Sequence, residues 1–109
     1  PPWHYYRTRA FFQLEEGRAV AVLADLDARH AGRAVDLLIS GLDGLPPAGR
    51  RSDWVGSYVV DLAAAYWHAD ARPEAEASLD EARQIAGATG SGRLLGQVDE
   101  AVRTLSARP

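Results

Sequence analysis

The sequence predicts an all-α fold: about five antiparallel helices, set as two consecutive hairpins over residues 3–45 and 52–87, with a capping helix over 91–107. Three observations lead there. Apolar residues recur at three- and four-residue steps in five separate segments, as a helix with one buried face requires. No segment alternates apolar and polar residues at period two, the mark of a half-buried strand. One spacing of small, large, small and breaker residues occurs twice, as Ala34, Leu38, Gly41 and Pro46 and then, 41 residues on, as Ala75, Leu79, Ala82 and Gly87. A motif repeated at such a distance is the signature of stacked helical hairpins.

The first helix is expected between Trp3 and Arg29, where there is no proline and where Tyr6, Ala10, Leu14, Ala21 and Ala24 fall on one face. Gly17 marks either a bend or a close approach, because a glycine inside a helix costs about 1 kcal/mol against alanine and needs a reason to be there. The second helix starts near Gly32, carries Ala34, Val35, Leu38, Ile39 and Leu42 inward, and stops at Gly44 and Pro46-Pro47, since proline cannot continue a helix. The stretch Pro46–Arg51 reads as a loop, after which Ser52 or Asp53 caps a third helix running to about Ala69, by accepting a hydrogen bond from a free backbone amide. Its stripe is Val55, Val59, Leu62, Ala63 and Tyr66. Pro73 opens the fourth helix, where its missing amide is not needed. That helix buries Ala75, Leu79, Ala82 and Ile85, leaves Glu74, Glu76, Asp80 and Glu81 in water, and ends at Gly87 and the following ATGSG. Ser91 caps the fifth helix, with Leu94, Leu95, Val98, Val102 and Leu105 as its stripe.

A chain of 109 residues makes one domain with a core of its own, and is too short for two. Hydrophobic residues at 47 % and a formal charge of -3 describe a water-soluble globular chain, not a disordered one. No apolar run approaches the ~20 residues of a bilayer span and no signal-like segment opens the chain, which leads to the expectation of a cytoplasmic protein without membrane contact. There is no cysteine, which removes disulfides, thiolate catalysis and cysteine-ligated zinc. His4, His30 and His68 are scattered, none with a second ligand one helical turn away, so neither a metal site nor any other cofactor is expected. All 12 basic residues are arginines, a bias that fits a GC-rich source genome. The absence of methionine and the opening Pro1-Pro2-Trp3 lead to the expectation of a piece of a longer protein.

No nucleophile elbow, phosphate loop or dinucleotide fingerprint occurs. Glu15-Glu16 and the acidic residues of the fourth helix read as a solvated face, since carboxylates left in water catalyse little. An enzyme is therefore not expected. Direct contact with nucleic acid is not expected either: the arginines are dispersed among 15 acids, with Arg50-Arg51 the one adjacent pair, and phosphate binding needs a clustered cationic face.

Val59, Leu62, Ala63 and Tyr66, followed by Ala75, Leu79 and Ala82, give the order large, Leu, small, Tyr, small, large, small. Over residues 56–86 this resembles the tetratricopeptide repeat. The resemblance is partial over 15–46, where Ala21, Val22 and Asp25 stand at the places of Leu, the small residue and Tyr, leaving open either a hairpin turn shifted by a residue or two or a degenerate repeat. The succession GRAVDLLISGLDGLPP, RRSDWVGSYVVDLAAAYWHADARPEAEASLDEAR and TGSGRLLGQVDEAVRTL also resembles the C-terminal, tetratricopeptide-like part of actinobacterial helix-turn-helix transcriptional regulators.

That resemblance implies a sensing, interaction or dimerisation module without catalysis, whose partner is a protein, a peptide or a small effector, or a second copy of the chain. The DNA-binding part of such regulators is absent from this sequence. In stacked hairpins the first helix of each pair lines the concave side, which implies Ser57, Val60, Ala64, Trp67 and His68 as inner residues of the third helix, joined by Glu16, Leu23 and Asp27 of the first. Co-chaperone repeats of this family hold a terminal carboxylate with Lys and Asn at such places; Val60, Asp61 and Ala64 stand there in this chain, so that activity is not carried over. A structural scaffold without a small ligand is the alternative. Trp3, Tyr5, Tyr6, Phe11 and Phe12 crowd the first helix on more than one face, and one hairpin cannot bury them all; the expectation is that they pack against preceding repeats of a longer array or, next in order, against a second copy of the chain.

Overall fold

A computed structural model describes residues Pro2–Ala107, with side chains from Arg9 onward. The expectations for His4, Trp3, Tyr5 and Tyr6 concern side chains outside that range. The described residues form helices and turns throughout, with no strand among them. Helix α1 spans Pro2–Leu26, α2 Ala31–Asp43, α3 Pro47–Arg50, α4 Asp53–His68, α5 Arg72–Thr89 and α6 Gly92–Ser106. Packing follows the chain: α1 lies along α2, α4 along α5, α4 against both helices of the first pair, and α6 against both helices of the second.

Helix α1 is continuous through Gly17. The glycine serves close approach: a Cβ at Gly17 would stand 2.8 Å from Cγ of Leu38 on α2, and one at Gly41 of α2 would stand 2.7 Å from Cγ of Leu14 on α1. Leu14 and Leu38 are both fully buried. Each leucine thus fills the gap left by a glycine on the facing helix, and the two helices interlock by side chain into gap. The expected inner faces of α1 and α2 recur in the core as Ala10, Leu14, Ala21 and Ala24 and as Ala34, Leu38 and Leu42.

Four boundaries differ from the sequence reading. Helix α1 stops at Leu26, before Arg29, because Asp27 accepts a hydrogen bond from the Arg29 amide and starts a short 3₁₀ turn over Ala28–His30. The segment expected to be a loop contains α3, which begins behind Pro46 with Pro47 in its first turn, the position where proline is pre-shaped for a helix. Ser52 occupies the N-cap of α4, but its hydroxyl donates to the Gly49 carbonyl at 2.6 Å, tying α3 to α4 instead of accepting from an α4 amide. Helix α5 passes through Gly87 and ends at Gly90, whose φ of 67° is the left-handed geometry that terminates helices and costs glycine little. Ser91 caps α6 as expected, accepting from the Leu94 amide at 3.1 Å.

The turn lengths set the register of the whole chain. Four residues, 27–30, join α1 to α2, and three, 69–71, join α4 to α5. The core positions of the first helix of each hairpin therefore match at a separation of 42, as Val20 with Leu62 and Ala21 with Ala63, whereas those of the second match at 41, as Ala34 with Ala75 and Leu38 with Leu79. The first turn is thus one residue longer, and Val20 and Ala21, not Ala21 and Val22, pair with Leu62 and Ala63, while Ala24 stands at the place of Tyr66.

Candidate functional site

Side by side, α1 and α4 make a ladder of polar contacts. Tyr58 donates its hydroxyl to Glu15, Arg18 Nε donates to Asp61 Oδ2 at 2.7 Å, and His68 Nε2 lies 2.6 Å from Asp25 Oδ1. Each pair is separated by 43 residues in sequence, so the two helices run parallel with constant register along this line. The Arg18 guanidinium also sits 4.1 Å from the centre of the Tyr58 ring, a cation–π arrangement.

Helix α6 closes the other side of α4. The Ser57 hydroxyl donates to Gln97 Oε1 at 2.8 Å and accepts from Arg93 Nη1 at 3.0 Å. Arg93 continues to Asp53, Nη2 to Oδ2 at 3.3 Å, and the cap residue Ser91 donates to the same carboxylate oxygen at 3.3 Å. Beneath this network Leu94 enters the gap at Gly56, where a Cβ would stand only 2.3 Å from its Cδ2.

Between the ladder and the α6 network runs a groove of about 960 Å³, walled by α1, α4 and α6. Phe11 and Trp54, 43 % and 39 % exposed, form its aromatic end, with Trp54 packed edge-to-face on Tyr58. Its middle is lined by Arg18, Asp61, Arg93 and Gln97, and small residues Ala64, Gly96 and Ala101 keep it open. A Cβ added to Gly96 would meet nothing within 4 Å; internal packing does not require this glycine, and its absent side chain widens the groove.

Burial raises the pKa of Asp61 above the usual carboxylate range, although the Arg18 hydrogen bond and charge act to lower it. The ion pair does not fully offset the desolvation of the carboxylate, a common outcome for pairs taken out of water. Tyr58 is pushed up to about 12, first by burial and then by the hydrogen bond to Glu15. On Arg18, burial acts to lower the pKa, but the Asp61 hydrogen bond and charge more than reverse it and the net shift is upward. The polar groups of the groove are thus largely committed to one another, and what they leave facing outward is a mixed aromatic and polar surface.

The residues expected on the concave side divide. Ser57, Val60 and Ala64 line the groove. His68 closes one end of the ladder with its side chain 10 % exposed. Trp67 points the other way, lining a smaller cavity with Leu79, Val102 and Leu105 and stacking under Arg72, whose Cζ is 4.3 Å from its ring centre. Glu16 and Asp27 do not reach the groove: Glu16 pairs with Arg33 of α2 at 2.8 Å, and Asp27 caps the 3₁₀ turn and pairs with Arg29. Leu23 is likewise turned to solvent. A 41-residue separation from Ser57, Ala64 and His68 leads to these three residues, but across the α1–α4 contact the facing residues stand 43 apart, and each residue of offset turns a side chain by about 100° around a helix. Phe11, Arg18 and Asp25 occupy the groove instead. The 43-residue pairings of complementary polar side chains, Arg18 with Asp61 and Asp25 with His68, were the sequence signal for the way α1 faces α4.

Among the described residues, no group of three or more His, Asp or Glu side chains is placed to hold a metal ion, and no helix is long and apolar enough to cross a membrane. No family model matches the chain, and no curated protein or solved structure matches it.

Proposed function

We propose that the chain is a non-catalytic interaction module of tetratricopeptide-like type, whose groove between α1, α4 and α6 receives a peptide segment of a protein partner or a small effector. The observation that carries this reading is the groove itself: a long concavity with an aromatic end, small residues along its floor, and a helical glycine that internal packing does not use. Such mixed linings are typical of recognition sites. Polar groups that are tied to each other, as Arg18 is to Asp61 and Arg93 to Asp53, shape and orient more readily than they react. The resemblance in sequence layout adds the expectation of a cytoplasmic transcriptional regulator in which occupancy of the groove shifts the population of states in which a DNA-binding part is presented.

Selection of a random peptide library on the wild-type chain, compared with Ala64→Arg, tests the groove. Peptides that bind the wild type and lose most of that binding on the variant are expected, with amide shifts gathered on α1, α4 and α6. Equal recovery on both proteins would place binding elsewhere and end the reading. A tight, salt-sensitive complex of this chain with duplex DNA would also contradict it.

A second reading, a scaffold or dimerisation domain without a small ligand, draws on a different face. Phe12, Val22, Leu23 and Leu26 of α1 are 65 %, 58 %, 47 % and 85 % exposed.

A further inference from the structure

We propose that this outer face of α1 is a self-association surface, on which a second copy of the chain packs antiparallel about a two-fold axis through Ala19. The face lies away from α2, because the residues that α1 buries are Ala10, Leu14, Gly17, Val20, Ala21 and Ala24. Phe12, Ala19 and Leu26 follow one another at seven-residue intervals, two turns of helix, and so form a single stripe, flanked by Val22 and Leu23. The reading does not depend on the groove, which uses Phe11, Arg18 and Asp25 of the same helix.

The internal repeat shows what such a face is for. At the 42-residue separation, Ala19, Leu23 and Leu26 match Asp61, Ala65 and His68 of α4. In α4 these positions are covered by the first hairpin: Asp61 and His68 bond to α1 and Ala65 is fully buried. In α1 the same positions are bare and more apolar. A face that docks in one hairpin is uncovered in the other, and water is a poor partner for it.

The order of side chains favours a second copy as the occupant. A two-fold interface is self-complementary, residue i meeting j while j meets i. With Ala19 on the axis, Phe12 of each copy meets Leu26 of the other, and the small residue sits where the helices cross. Val22 and Leu23 then lie against the aliphatic stems of Glu16 and Glu15 of the other copy, whose carboxylates turn to Arg33 and Arg18 of their own chain. A specific interface removes on the order of 1,000 Å² or more from water, and Phe12, Val22, Leu23 and Leu26, between 47 % and 85 % exposed on each copy, are the surface available for it. The bordering carboxylates carry no unpaired charge to the axis, because Glu15 lies 3.7 Å from Arg18 and Glu16 pairs with Arg33 at 2.8 Å within their own chain.

The chain has no cysteine, which makes the geometry directly readable by cross-linking. Under mild oxidation Ala19→Cys is expected to couple to its own copy. Phe12→Cys mixed with Leu26→Cys is expected to give the mixed disulfide well above either self-pair. Sedimentation of the whole chain from micromolar to millimolar concentration should show a dimer whose dissociation constant rises about a hundredfold or more in Leu26→Glu. Both Phe12 and Leu26 are exposed within the chain, so circular dichroism should show the helices intact in the variants. A chain that is monomeric across this range, or a dimer indifferent to Leu26→Glu in which Ala19→Cys does not couple, overturns the proposal and leaves the face to another partner. Neither result bears on peptide binding in the groove, so the two readings fail separately.

Discussion

The hairpins α1–α2 and α4–α5 repeat one pattern of small and large residues but differ where their numbers of neighbours differ. Leu14 of α1 fills the gap at Gly41 of α2. Its match in α4 at the 42-residue separation is Gly56, which has given up its side chain to receive Leu94 from α6. Gly17, which admits Leu38, is matched by Val59, and Gly41 is matched by Ala82. The outer hairpin thus spends its glycines on closing upon itself. The inner one closes with alanines and keeps its glycine for a third neighbour. Repeats of this kind diverge in sequence not at random but at the positions where a helix gains or loses a partner.

Leu94 offers the largest effect by which to break that comparison. It is fully buried, so Leu94→Ala should cost about 2–5 kcal/mol in urea unfolding. Gly56→Ala alone should be destabilising by about 1–3 kcal/mol, since the Cβ has no room while Leu94 is present. The double variant should cost clearly less than the two together. Simple additivity would mean that Leu94 does not occupy the Gly56 gap.

The reciprocal test lies in the outer hairpin. Gly41→Ala, a change that helps most helices, should destabilise by about 1–3 kcal/mol, because its Cβ would stand 2.7 Å from Leu14 Cγ and 3.0 Å from the Ala10 carbonyl oxygen. Gly96→Ala should do the opposite and stabilise by up to about 1 kcal/mol, since nothing lies within 4 Å. If both glycines respond alike, the distinction between a packing glycine and a groove glycine fails.

The contrast also explains what the sequence could and could not disclose. Helix faces were legible, because burial imposes the 3.6-residue period on every helix: the predicted stripes of α2 and α4 reappear in the core with Ala34, Leu38, Leu42, Val55, Val59, Leu62 and Ala63. The small-large-small spacing was legible for the same reason. The length of the first turn was not, since the Asp27 cap that shapes it is a side-chain-to-backbone bond and leaves no periodic trace. That single residue decided whether Glu16 or Glu15 faced α4, and with it part of the candidate groove. Likewise Gly87 looked like a helix end, but a helix stops where backbone geometry changes, and of these two glycines it is Gly90 that takes the left-handed conformation.

The joint between the two hairpins contains one group, Tyr58, whose ionisation sets an expected alkaline limit. The Tyr58 residue is 4 % exposed and its hydroxyl is bonded to Glu15, so its ionisation should be seen near pH 12 in phenolate absorbance, well above the ordinary tyrosine value of about 10. The folded pKa is raised above the unfolded one. The contribution of Tyr58 is therefore complete below about pH 10 and is lost as pH climbs from there through about 12. Tyr58→Phe should cost about 1 kcal/mol at neutral pH and remove its part of the alkaline loss. An unchanged alkaline profile in the variant would locate that loss in other groups.

The smallest expected effect concerns the three-residue turn of the inner hairpin. Asp70 is the only non-glycine among the described residues with positive φ, 62°, where a Cβ crowds the backbone. The turn cannot relax out of this geometry, because the Asp70 amide donates to the Trp67 carbonyl and the Ala71 amide to that of Tyr66. Asp70→Gly removes the Cβ and should stabilise by about 0.5–1 kcal/mol, reduced somewhat by the greater freedom glycine gains in the unfolded chain. The four-residue turn of the outer hairpin has no such residue, so replacing Asp27 with glycine should instead destabilise by about 1 kcal/mol or less through loss of the cap to Arg29. Opposite signs at the two turns are the result that ties the one-residue difference in length to a difference in how each turn is held; equal signs would separate the two.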